Sequence, residues 1–146
     1  MLKRKEFREK RLKEKEYRKM IKKNRKKIMR LAKDASTKPF DYELGLKMFV
    51  AYLEFMKDYY KLGVHVVAME LENSRPRLEG ITDALECYEL WHDVDDQITS
   101  KYFTDHNEPL DGKTYEEAQI GLDMELEYYK KRFFDILKDE LETWWD

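Results

Sequence analysis

Cysteine occurs once among the 146 residues, at Cys87, proline three times and glycine five times. A single cysteine excludes an internal disulfide and a cysteine-based zinc site. It suits a reducing compartment, with burial as the ordinary fate of such a thiol. Scarce glycine and proline leave long stretches without a breaker, which favours a few long helices over many short strands. No apolar run approaches the roughly 18 residues of a membrane span. The basic N-terminus lacks the apolar core of a secretory signal. There is no Gly-rich phosphate loop, no serine nucleophile elbow and no His-Glu-x-x-His pair. These absences lead to the expectation of a cytoplasmic protein that is not an enzyme, uses no cofactor and does not enter a membrane.

What the chain has in abundance is charge, 29 Lys+Arg and 31 Asp+Glu, and it is unevenly divided. Residues 1–33 hold 17 cations against 4 glutamates, a net of +13, and residues 34–146 hold 12 against 27, a net of −15. The overall −2 therefore conceals a basic helical arm, 1–33, joined to an acidic helical bundle domain, 34–146. Such an arm requires negative charge from phosphate, an anionic lipid face, another protein or its own acidic body. Ten Tyr, seven Phe and three Trp provide material for a core, and a chain this long buries about 70% of its unfolded surface.

Hydrophobic spacing predicts an all-α fold, a bundle of three to five helices with a long basic N-terminal helix. In the first segment, about 3–33, Tyr17, Ile21, Asn24, Ile28 and Leu31 form one stripe at three- and four-residue spacing. Before Tyr17 the apolar Leu2, Phe7 and Leu12 do not align. The proximal half should therefore dock and the distal half project. The docking seam also predicts self-association as a homodimer through the N-terminal helix. Residues 34–41 read as a breaker, with Asp41 as N-cap of the next helix. That helix, about 42–62, carries Tyr42, Leu46, Phe49, Leu53, Met56 and Tyr60 in heptad spacing. Met48, Tyr52, Phe55 and Tyr59 widen the stripe, so burial on two sides is expected, with Gly63 as its C′ residue. Residues 64–74 allow a short helix or a strand, and Pro76 reads as a helix start or as a kink in one longer helix. An apolar face then runs to about Phe103. A loop spans 105–112, and Thr114 with Glu117 makes a capping box before a last helix, about 115–143. Beyond the Lys/Arg bias of the arm, no internal repeat stands out.

Three groups of residues carry chemistry. Glu86, Glu89, His92, Asp93, Asp95 and Asp96 fall on one expected helix, with Glu86, Glu89, Asp93 and Asp96 lining one face within about 15 Å. Their repulsion would be relieved by a divalent cation, by which the chain would be a metal-dependent phosphohydrolase, or by a basic helix such as the arm. Two enzyme families share fragments of this pattern. The MazG-type pyrophosphohydrolases place Glu-x-x-Glu and Glu-x-x-Asp on facing helices, whereas here both pairs share one helix. The HD phosphohydrolases order a His, a His-Asp pair and a distant Asp, as do His65, His92-Asp93 and Asp123. The second group, Lys15, Lys19, Lys22, Lys23, Lys26, Lys27 and Arg30, clusters cations on the arm away from the docking stripe, with six to ten phosphate contacts in reach. It would bind nucleic acid or a partner, and the other phosphate ligand to expect is a nucleotide sequestered between subunits. With only Phe7 and Tyr17 interleaved, base stacking plays little part. The third group, Trp144 and Trp145, would anchor a protein partner if exposed.

The layout resembles small helical accessory proteins of tailed bacteriophages. Pro39-Phe40-Asp41-Tyr42 leads into a Leu- and Met-rich amphipathic helix. An Arg- and Glu-rich stretch follows from Arg77 to Asp96, and the chain closes with Phe133-Phe134 through Trp144-Trp145-Asp146. The resemblance covers about residues 38–146 and leaves out the arm. It implies a viral accessory protein that binds and modulates a host protein or nucleoprotein in the bacterial cytoplasm.

Overall fold

The computed structural model describes residues 2–38, 41–62 and 68–144 and, within 68–92, side chains from Pro76 onward. The fold is all-α, a helical bundle. Among the described residues there are four α-helices and no strand: α1 (Leu2–Thr37), α2 (Tyr42–Leu62), α3 (Ala68–His92) and α4 (Tyr115–Glu140). Short 3₁₀ turns lie at Thr99–Lys101 and Leu141–Trp144. Contacts divide the chain into two compact units, Met1–Ile81 and Thr82–Asp146. The basic segment 1–33 is thus chemically distinct but structurally part of the first unit.

In that first unit α1 lies antiparallel to α2. Tyr17 sets its ring against Phe55 and Tyr59, with centroids 6.3 and 5.7 Å apart. About two and three helical turns further along, the Asn24 side-chain amide donates to the Ala51 carbonyl at 2.9 Å, and Lys27 pairs with Glu54 at 2.7 Å. The stripe expected to dock is the one that docks: Tyr17, Ile21, Asn24, Ile28 and Leu31 are all half-buried. It does so against α2 of its own chain. The distal half projects, with every residue from 2 to 13 exposed. Leu2, Phe7 and Leu12 each leave well over half of their surface in solvent.

α1 runs four residues past its expected end. Ser36 and Thr37 do not break the helix; their hydroxyls donate back to the Lys33 and Asp34 carbonyls at 2.7 and 2.8 Å. Orphan carbonyls of the last turn are satisfied in this way. Asp41 caps α2 as its position predicts, its carboxylate accepting from the Glu43 backbone N–H at 3.0 Å. α2 is buried on two sides: Phe55 and Tyr59 meet α1, and Val50, Leu53 and Met56 are buried. Tyr42, first in the helix, stays exposed. Gly63 and residues 64–67 lie outside the described residues. Pro76 sits inside α3, the longer-helix alternative for this region.

In the second unit the expected helix to Phe103 stops at His92. Asp93 enters the left-handed region at φ 46° while its N–H donates to the Glu89 carbonyl at 2.9 Å, an αL ending that aspartate tolerates better than most residues. Its carboxylate reaches forward to the backbone N–H groups of Ile98 and Thr99, at 2.8 and 2.9 Å, and to the Thr99 hydroxyl. Short polar side chains that offer the backbone a non-helical partner end helices. The loop 104–112 is where composition puts it, pinned by Thr104, whose hydroxyl accepts from the His106 and Glu108 N–H groups. Thr114 caps α4 by accepting from Glu117 N–H at 3.2 Å, and its hydroxyl donates to the Glu117 carboxylate at 3.1 Å.

The core here gathers Ile98, Phe103, Ala118 and Leu122, flanked by Leu90, Tyr102, Leu126 and Tyr129. Tyr102 lies flat over Gly121 and donates to Glu125 at 2.7 Å, while Lys101 reaches the other Glu125 oxygen at 3.3 Å. That hydrogen bond, together with burial, raises the Tyr102 phenol above its usual range. A Cβ at position 121 would stand 2.5 Å from the tyrosine ring. Alanine gains about 1 kcal/mol over glycine in helix propensity, but overpacking costs about 1–3 kcal/mol, and the ring is held by Glu125. Gly121→Ala should therefore destabilise the chain in urea unfolding. In a Tyr102→Ala background the same change should become neutral or stabilising.

Candidate functional site

Most residues of α1 face solvent, and their order is more regular than their composition suggests. Arg4, Lys15 and Lys26 recur at eleven-residue spacing, as do Arg8, Lys19 and Arg30, and Arg11, Lys22 and Lys33. Eleven residues at 3.6 per turn make three turns with a drift of only about 20°. The three series interleave, so one cation follows another at steps of three or four residues. All nine lie within about 50° of a single line along the helix, one per turn, over about 43 Å. All nine are exposed. The line runs roughly opposite the Tyr17–Leu31 stripe, so docking on α2 turns it outward.

None of the four arm glutamates shares this line. Glu14 borders a shallow hollow with Arg8, Arg11, Leu12, Lys15, Arg18, Lys19 and Lys22, but on its flank. Glu16 pairs with Lys19 at 3.6 Å, both well exposed, an arrangement worth a few tenths of a kcal/mol at most. Arg11 stacks over Phe7 at 5.9 Å. Among the described residues Lys15, Lys22, Lys26 and Arg30 form no ion pair. Like charges at i,i+4 repel by about 0.2–0.5 kcal/mol a pair, so the ladder as a whole costs on the order of 2–3 kcal/mol. Lys3, Arg4 and Lys5 add to this by occupying the helix N-terminus, where the macrodipole disfavours cations.

This geometry sorts the seven cations singled out from sequence. Lys15, Lys19, Lys22, Lys26 and Arg30 are rungs of the ladder. Lys23 stands on its flank, and Lys27 is turned to Glu54. Arg4, Arg8, Arg11 and Lys33 were missed. The signal that finds them is the same three- and four-residue step followed to both ends of α1, where it recurs with an eleven-residue period.

The acidic group does not assemble as expected. Glu86 and Glu89 remain on α3, but Asp93 and Asp96 have left the helix, both in the left-handed region. The two pairs therefore do not share one helix face. His92 lies between the rings of Tyr88 and Trp91, at 4.2 and 4.5 Å, with its Nδ1 2.9 Å from the Tyr88 carbonyl oxygen. Asp123 is exposed on α4 and accepts from the Gln119 side-chain amide, and His65 lies outside the described residues. No group of three or more His, Cys, Asp or Glu placed to hold a metal ion occurs among the described residues. A hollow of about 430 Å³ is lined by Glu86, Glu89, Leu90, Asp93, Val94, Asp95 and Gln97, with Asp93 already committed to the backbone.

Trp144 is 1% exposed, so the exposure that a surface anchor requires is not met there. It belongs to the core, and Trp145 lies outside the described residues. Cys87 is buried, and burial pushes its thiol up, opposed in part by Arg132. No protein family, curated protein or solved structure matches the chain. No described helix is long and apolar enough to cross a membrane.

Two outcomes follow. Trp144→Ala should lower stability by about 3–5 kcal/mol in denaturant unfolding, as for other buried aromatics. Burial works to raise the Asp93 carboxyl, but hydrogen bonds from the Thr99 hydroxyl and the Ile98, Thr99 and Gln97 N–H groups outweigh it and hold the carboxyl below its usual range. A depressed folded-state pKa contributes stability that is whole above the ordinary aspartate value and is lost as pH falls through the folded one. Asp93→Ala should cost about 1–2 kcal/mol at pH 7. The gap from wild type should narrow below the ordinary aspartate range and stay constant above it.

Proposed function

We propose that this chain is a non-enzymatic interaction protein that binds a polyanion, nucleic acid or a nucleoprotein, along the outward face of α1. The observation that supports this most directly is the ladder: nine exposed cations on one line, with no acidic residue on it, turned outward by the packing of the opposite face. Phosphate binding needs several cations on one surface, and each neutralised phosphate contributes by releasing counterions. A polyanion on this face also removes the repulsion between rungs. The bacteriophage resemblance enters the same proposal: the host macromolecule bound by such an accessory protein would be engaged through its phosphates.

The test is fluorescence polarisation of a labelled mixed-sequence oligonucleotide against the full-length chain at about 50 and 200 mM salt. Binding should weaken by about 10³-fold or more across that range. The variant Lys15→Gln/Lys19→Gln/Lys22→Gln/Lys26→Gln should bind at least about 100-fold more weakly at the lower salt, with a log–log salt slope shallower by about 3. Its melting should be no lower than wild type, since the substitutions are exposed and relieve repulsion between rungs. Equal affinity of the variant and the parent, or no binding by the parent at 50 mM, sinks the reading.

A further inference from the structure

The shape of the ladder discriminates among polyanions. Building on the reading above, we infer that its ligand is an unpaired, flexible phosphodiester strand, bound at about one phosphate per helical turn and without regard to base sequence.

The rungs form a nearly straight row spaced by about 5.4 Å over about 43 Å. A B-form duplex presents its phosphates on strands that wind once per roughly 34–36 Å. A straight row laid along a duplex therefore meets each strand only where it crosses, and the rungs between crossings face a groove. Laid across the major groove, as a recognition helix is, the row uses a few rungs at most. An unpaired strand has no such constraint. Freed from stacking, it stretches beyond the 3.4 Å axial spacing per phosphate that it has in a duplex, so it can fall into register with every rung.

The side chains agree with this. Of the amide side chains that read adenine edges in a duplex groove, α1 offers only Asn24, which is bound to the Ala51 carbonyl on the docked face. Stacking platforms are absent from the line as well: Tyr17 lies against Phe55 and Tyr59, and Phe7 lies under Arg11. What remains is Lys and Arg on the backbone, with bases turned to solvent. Nine contacts at the single-strand coefficient give a salt slope of about −6.

The experiment measures affinity of the full-length protein for labelled oligo(dT) and oligo(U) of 6, 10, 14 and 20 nucleotides, and for a mixed-sequence duplex of 20 base pairs, over about 50–300 mM salt. Affinity should climb steeply to about ten nucleotides and then rise only by the number of registers a longer strand allows. The slope should lie near −6, and the duplex should bind at least tenfold more weakly at about 100 mM salt. The two strands separate DNA from RNA as the source, and near-equal affinities confirm that only the backbone is recognised. Lys15→Gln/Lys19→Gln/Lys22→Gln should flatten the slope by about 2, whereas Lys10→Gln/Lys13→Gln/Arg25→Gln, equal in charge but off the line, should leave it nearly unchanged. A duplex that binds as tightly as the strands, or equal effects of the two triple variants, overturns this inference and leaves polyanion binding standing. No binding to strand or duplex overturns both.

Discussion

The docking of α1 on α2 decides what the rest of the molecule presents. Tyr17 against Phe55 and Tyr59, the Asn24 bond to the Ala51 carbonyl and the Lys27–Glu54 pair fix the rotation of α1 about its own axis. A helix this rich in like charge is weakened by its own repulsion, and helices in proteins draw most of their stability from packing. Here an apolar stripe less than half the helix in length supplies that packing, and the remainder is carried along as a rigid extension. Because rotation is fixed by contacts on one side, the cations on the other side point one way. A free basic peptide of the same composition would present them in every direction.

The second unit shows the same economy with polar groups. Asp93 ends one helix and holds the start of the next turn with a single carboxylate. Glu125 joins Tyr102 and Lys101 to α4. Around them Tyr88, Trp91 and Phe133 form an aromatic cluster with ring centroids 5.7–6.2 Å apart, and Lys130 lies over the Trp91 ring. Of the side chains whose types suggest metal or acid–base chemistry, Asp93 is thus occupied with ending a helix and His92 packs against aromatic rings, while Glu86, Glu89, Asp95 and Asp96 are exposed.

How much of this was legible in the sequence depended on whether local or long-range forces decide. Helix α2, its Asp41 cap, the Thr114–Glu117 box and the docking stripe of α1 follow from periodicity and capping chemistry, both local. The extension of α1 through Ser36 and Thr37 was hidden because the same hydroxyls that favour caps also satisfy a helix from within its last turn. The end of α3 was hidden because Asp93 continues a helical pattern in sequence while its carboxylate prefers backbone N–H groups five and six residues ahead. Whether Trp144 is exposed as an anchor or packed onto the bundle was open in the sequence, because position near a chain end says nothing about burial. In the candidate site, five of the seven cations named from sequence lie on the ladder. The other two left it because only a docked partner shows which way a lysine points.

The eleven-residue period gives the arm a phase as well as a charge. Substituting one rung dims the ladder at one turn and leaves the others in place. Inserting a single residue near Arg18 would alter neither net charge nor composition. It would nevertheless rotate every rung ahead of it by about 100°, toward the side where α2 is docked, and split the row in two. An insertion of eleven residues, a far larger lesion by length, would lengthen the row and keep it in line. Related chains that preserve this surface should therefore tolerate changes of length in α1 close to whole turns, such as seven, eleven or eighteen residues, and lose the surface at intermediate steps while keeping the same bulk charge.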